Sequence, residues 1–347
     1  MAPLIYGYFK RLIKFLQNIF RTAGNIISSY MVQNPVLLMI CGALIGFVLA
    51  YLIFFFEELP GVPGPSFSPQ GNIKDTKGIL TYHPKLFTWI MLFIIHTGMA
   101  TALGLGAFQM LKLNILSKFT LKPFEITVSA VLVGAMILVS SASYILPFES
   151  GNYYHWPRLP LNNLWFKVIL LLAISIFSAG LGVLGLIFIG CYCRKLILEQ
   201  LPENAIELYN ELKDYMERLL LIVGLILSVG VVTVYFFNAA IAEQNGPAQF
   251  GAHGVAIFGL LFTVFIAVSF IPTRILLADL GKKIIESRLS SNHELATTDL
   301  KTWVETRKEL EYYLEIKLNW LETLKYVVPV LGPIISSLLP NAFEIIK

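Results

Sequence analysis

The residues best suited to chemistry sit inside or beside long uncharged runs. His96 is the one ionisable group of the apolar stretch 86–111 and falls close to its middle. An imidazole there can relay a proton or sense pH if it faces water, and it is costly in lipid unless paired. The plainer use is a neutral ring bonded to a hydroxyl or a backbone carbonyl. Hydroxyls come next. Ser129, Ser140 and Ser143 share one side of 126–148 at helical spacing with Val133 and Met136, and Ser175 and Ser178 open a stripe that continues through Ala179, Gly182 and Gly185. Such groups line a wet pore or bond to neighbouring helices, and spacing alone does not separate the two. In a polar stretch, Glu203, Glu207 and Glu211 recur every four residues. Like charges at that spacing cost on the order of 0.3 kcal/mol each. Water, the basic tail or a cation-attracting vestibule would each answer them.

Other groups point to less. His83, His155 and His253 fall on one side of the membrane by the topology below, but they come from three loops without ligand spacing. Of the three cysteines, Cys41 lies in an apolar run, and Cys191 and Cys193 at i, i+2 face different sides of a helix. They read as packing. No metal-hydrolase helix, nucleophile elbow, phosphate loop or dinucleotide fingerprint is present. The expectation is a chain that is not an enzyme and has no metal or cofactor.

The elements that position these groups are set by composition. Hydrophobic residues make up 56% and charged residues 14% of the 347, against about 45–50% and about 25% in soluble domains. The charges gather in a few segments and leave runs of more than twenty residues without any, as transmembrane helices do. The expected fold is all-α and polytopic, with six spans at 35–56, 86–111, 126–148, 168–193, 219–242 and 250–273. Gly42, Gly46 and Ala50 repeat every four residues in the first span and make a flat strip for another helix. The small side of the third span is the natural partner for the Ser175–Gly185 stripe of the fourth. Tyr153, Tyr154, Trp156 and Trp165 form an interfacial belt before that fourth span.

Outside the spans, residues 1–31 read as a basic amphipathic helix, either in the headgroup layer or against the protein's own helices. From Glu203 to Ala242 one helical pattern runs unbroken, with 194–218 as an extension beyond the lipid. The sixth span also continues past Pro272, where a kink is expected, to Ser290. The tail 274–347 then carries a coiled-coil-like seam over 298–325, with Arg307 as its one misfit, and an apolar segment 326–339 broken by Pro329, Gly332 and Pro333. Fourteen residues are too few to cross a bilayer. That segment either re-enters the membrane, plugs something or buries against the helical body.

Basic residues sort by side. Twenty-one of the twenty-six Lys and Arg lie in the amphipathic arm, the 112–122 turn, the 194–218 extension and the tail. The positive-inside rule therefore places those parts and both termini in the cytoplasm, with the chain in the plasma membrane, or the inner membrane of a bacterium. The expected partners are the lipid bilayer, further copies of the chain and a cytoplasmic protein; no basic face suggests nucleic acid. No Asp, Glu, Lys or Arg falls within the six spans, which counts against an ion-coupled carrier. The first functional expectation is an oligomeric channel or pore, ion-conducting and gated through the cytoplasmic helices. The alternative is a non-conducting membrane anchor or scaffold that docks a protein partner on its cytoplasmic helical body; a secondary transporter ranks below both.

Overall fold

The computed structural model describes residues 35–55, 84–111, 131, 134, 164–245, 252–291, 300–316 and 320–345. The described residues form seven helices and no strands: α1 (Pro35–Phe55), α2 (Pro84–Gln109), α3 (Leu164–Leu198), α4 (Ala205–Asn245), α5 (Ala252–Ser291), α6 (Leu300–Tyr313) and α7 (Trp320–Ile345). The amphipathic stretch 1–31, the belt at 153–165 up to its last two residues, and all of 126–148 except positions 131 and 134 lie outside them. Four helices are long and apolar enough to cross a membrane, over Phe87–Gln109, Leu172–Leu198, Ala205–Ala240 and Val255–Ser290. Among the described residues the apolar parts of α1 and α7, Met39–Ile53 and Thr323–Leu338, are shorter.

The longest helix, α4, is the axis of the bundle and packs against α2, α3, α5 and α7. Its buried residues Tyr209, Leu212, Met216, Leu219, Leu220 and Val223 follow the three-and-four spacing of a helix face, and each is at most 1% exposed. At about 1.5 Å per residue its 41 residues span roughly 60 Å, twice the ~30 Å of a hydrocarbon core. In a bilayer one end of such a helix would stand clear of the lipid. That end carries Lys213 and Arg218, near the Arg194–Lys195 pair of α3 and the Lys282–Lys283 pair of α5. It is called the basic end below.

Close approaches between helices fix their directions. A methyl group on Gly46 would come within 2.7 Å of the Thr101 Oγ1 and 2.8 Å of the Gly98 Cα, while one on Gly42 would meet Leu105 and Ala102. The small strip of α1 is therefore pressed on α2, and the two helices run in opposite senses. Trp89 lies against Phe237 with ring centroids 4.8 Å apart, and His96 lies beside Ile226, so α2 and α4 also run antiparallel. Gly182 and Gly185 of α3 admit Val223 and Leu219 of α4, again in opposite order. Hence α2 and α3 descend in the same sense toward the basic end.

Among the described residues the stripe through Ser178, Gly182 and Gly185 packs on α2 and α4: Ser178 fills the space beside Gly104, and the glycines seat α4 side chains. The small side of the third span, its expected partner, lies outside them. One sequence expectation is corrected here: the seam over 298–325 is not one helix. α6 stops at Tyr313, and Glu315 takes a φ of 50° in the turn before α7, a conformation that a side chain disfavours and that redirects the chain. The apolar segment 326–339 is the middle of a 26-residue helix.

Within α5, Pro272 removes one backbone donor without ending the helix. The next residue stitches it to α3. The Thr273 hydroxyl lies 2.9 Å from the Leu186 carbonyl and 3.0 Å from that of Ser269, and Gly190 leaves it the room. Away from these contacts Val264, Val268, Ile271 and Ile275 of α5 stay about half exposed. A strip of that kind suits lipid or another apolar surface.

Candidate functional site

At the basic end two helices place charged side chains around one turn. Lys213 of α4 pairs with Glu315 in the turn between α6 and α7. Arg274 of α5 donates from Nη2 to the Glu315 carbonyl at 3.1 Å, and its guanidinium carbon lies 5.5 Å from the centre of the Tyr326 ring. Tyr326 donates its hydroxyl to Glu217 Oε1 of α4 at 2.7 Å, and its ring stacks on Phe270 of α5 at 5.5 Å. Tyr209 completes the cluster by donating to the Leu314 carbonyl at 3.1 Å. The turn and the first residues of α7 are thus gripped by Lys213 and Glu217 from one helix and by Arg274 from the next.

Local sequence explains the arrangement. Tyr209, Lys213 and Glu217 recur every four residues, so they stack on one face of α4. Arg274 comes two residues after Pro272, where the uncharged run of α5 ends and a long cationic side chain can reach the rim. Its Nε and Nη1 are buried without a hydrogen-bond partner. An unsatisfied buried donor opposes the folded state by about 1–3 kcal/mol, so this guanidinium is held by its ring contact and one carbonyl against a desolvation cost. Burial keeps the Tyr209 hydroxyl above its ordinary titration range, against the pull of the Arg274 charge.

A second set of contacts ties α5 to the turn between α3 and α4. Lys283 Nζ reaches the carbonyls of Leu196 (3.1 Å), Ile197 (2.9 Å) and Glu199. The first two belong to the last turn of α3, whose carbonyls have no partner within the helix, and Glu199 follows it; the ammonium also opposes the negative end of the helix dipole. Arg288 donates to the Glu203 carbonyl at 3.3 Å. Replacing Lys283 with Met should lower stability by about 1–3 kcal/mol, read as a fall in Tm in detergent, and Lys283→Arg should recover part of it. An unchanged Tm for Lys283→Met would show that water caps α3 equally well.

The residues singled out from the sequence do not gather at this cluster. His96 is 3% exposed and lies between α2 and α4, with Nε2 3.1 Å from the Ile226 carbonyl; Gly230 leaves space for its ring. With Nε2 as donor, Nδ1 is left an acceptor, and it has no partner. Ser175 and Ser178 are buried in α3, the latter against Gly104. Ser129, Ser140 and Ser143 lie outside the described residues. In the acidic stripe Glu203 and Glu207 are exposed, whereas the Glu211 carboxylate accepts the Tyr215 hydroxyl at 2.7 Å. Burial first, and that bond second, hold the Tyr215 hydroxyl protonated well above the usual phenol range. His83 and His155 lie outside the described residues, as does the side chain of His253. Arg307 bonds Glu311 at 3.1 Å and covers the Trp303 ring, so the misfit of the seam is satisfied within α6 itself.

Sequence reading missed Lys213, Glu217, Arg274, Glu315 and Tyr326 as a group. The available signal was the first charge after an uncharged run, Arg274, together with opposite charges four apart on α4. Comparison with protein-family models, curated proteins and solved structures finds no match for the chain.

Proposed function

We propose that this is a multi-pass plasma-membrane protein that conducts nothing and serves as an anchor, docking a cytoplasmic protein on the helical layer at its basic end. The observation that carries the reading is where the polar groups go. His96, Ser178 and Thr273 are each used at a contact between two helices, and the core around α4 is filled by Leu, Ile, Val, Phe and Tyr. The layer beyond the lipid is instead cross-braced by Lys213, Arg274, Lys283 and Arg288. Bracing of that kind suits a surface that must keep its shape while another protein binds it. On that layer Tyr312 and Tyr313 are 81% and 62% exposed at the end of α6. Adjacent tyrosines give large contact area at low entropic cost, as interface anchors do.

The orientation in this reading rests on the basic residues and puts the layer in the cytoplasm. The purified chain in liposomes should pass no more K⁺, Na⁺, Cl⁻ or H⁺ than empty vesicles between pH 5 and 8. Selective flux proportional to protein would overturn the anchor and return the reading to an oligomeric channel, with its path between copies.

A further inference from the structure

We propose that α7 is itself a membrane-crossing helix, so that the chain leaves it on the face opposite the basic end. The inference rests on the membrane reading above and changes where the last residues lie. Its basis is the order in which α7 meets its neighbours. Tyr326 meets Glu217 of α4 together with Phe270 and Arg274 of α5 at the basic rim. Pro329 then lies against Gly224, Gly332 against Ser228, and Pro333 and Ser337 against Gly259. Along α7 the contacts climb α4 away from its charged half and move back along α5 toward the start of that helix. α7 is therefore parallel to α4 and sunk to the depth of the uncharged runs.

The length suffices. From Tyr326 to Phe343, the residue before Glu344, the helix is continuous and uncharged, and these steps at about 1.5 Å rise roughly 26 Å, near the ~30 Å of a hydrocarbon core. An unbroken helix cannot turn back within that distance, so re-entry on the same side is not open to it. Its outward face agrees. Val327, Val328, Leu331, Ile335 and Leu338 are all at least 36% exposed, and they continue the apolar strip of α5 that faces lipid. Acyl chains are the occupant of that face. The charge distribution tolerates the change, because the sequence after α7 carries one basic residue, Lys347.

One of the three prolines that disguise the span is accommodated by a neighbouring helix. Pro333 has no N–H for the carbonyl of Pro329, four residues earlier. That carbonyl lies 2.6 Å from where a methyl group on Gly224 would be, so it rests on a Cα–H surface and not in lipid.

Topology decides the matter. In the full chain with Cys41, Cys191 and Cys193 replaced by Ser, single cysteines are introduced as Gly71→Cys, Ser290→Cys and Lys347→Cys. Sealed vesicles of one orientation are then treated with an impermeant maleimide. Lys347→Cys should label from the same side as Gly71→Cys and from the opposite side to Ser290→Cys. An epitope appended after Lys347 should be digested by protease from the Gly71 side only. Labelling or digestion from the Ser290 side overturns the crossing of α7. If Gly71→Cys and Ser290→Cys react from one side, the underlying membrane reading fails, and that result is distinct from failure of α7 alone.

Discussion

Gly224→Ala should destabilise the protein by about 1–3 kcal/mol, the usual cost of forcing a methyl into a filled space, and Gly224→Leu should expel α7 from its groove. The reason is the identity of the neighbour. The new methyl would sit 2.6 Å from the Pro329 carbonyl oxygen and 2.9 Å from its Cα, and backbone cannot rotate aside as a side chain can. Gly259→Ala should behave alike, since its methyl would meet the Pro333 carbonyl oxygen at 2.7 Å. Gly182→Ala should cost less, because its nearest obstacle is one methyl of the Val223 side chain. Gly106→Ala should be neutral or stabilising. Only Met39 atoms at 3.8 Å await it, and a helical Gly gains about 0.5–1 kcal/mol on conversion to Ala. Tm in detergent ranks the four, and protease access to the α6–α7 turn reports whether α7 has left. Equal effects for Gly224→Ala and Gly106→Ala would refute the close packing of α7.

That series also shows what the sequence disclosed and what it hid. Long helices were legible because an uncharged run needs no tertiary information to be read, and the continuity of α4 follows from apolar residues that keep one face through its charged half. The strip Gly42–Gly46–Ala50 announced a close helix contact but not its partner, since any smooth face would serve; α2 supplies it with Gly98 and Thr101. The span in α7 was hidden by Pro329, Gly332, Pro333 and Pro340, which locally argue for a break. Pro333 is tolerated because Gly224 lies against the Pro329 carbonyl that it leaves without a donor, information held more than a hundred residues away. The turn at Glu315 was hidden for the opposite reason. No Gly or Pro marks it, and its positive φ is held by Lys213, Arg274 and Tyr209. For Ser175, Ser178 and His96, residue type could not separate a wet path from a packed contact, because both want a small or polar group at helical spacing.

Arg274→Ala should be the most damaging single change at the basic end, and the ordering of its neighbours tests why. The substitution removes a charged hydrogen bond to the Glu315 carbonyl, worth about 1.5–3 kcal/mol, and a cation–ring contact of roughly 0.5–2 kcal/mol. It also leaves Glu217 and Glu315 with less opposing charge. One term acts the other way: the orphaned Nε and Nη1 no longer carry a desolvation cost. Arg274→Leu, which also keeps the volume, should therefore lose less than Arg274→Ala. Tyr326→Phe keeps the ring between Phe270 and Arg274 but abandons the Glu217 carboxylate, so its loss should be smaller than that of Arg274→Ala. Combining Tyr326→Phe with Glu217→Gln should cost less than the sum of the two, because the second change removes the charge that the first leaves unpaired. Unfolding measurements on the four variants and the double variant give the cycle directly. Strict additivity, or Arg274→Leu falling below Arg274→Ala, would mean that the clamp is a set of unrelated surface contacts and that apolar packing alone seats α7.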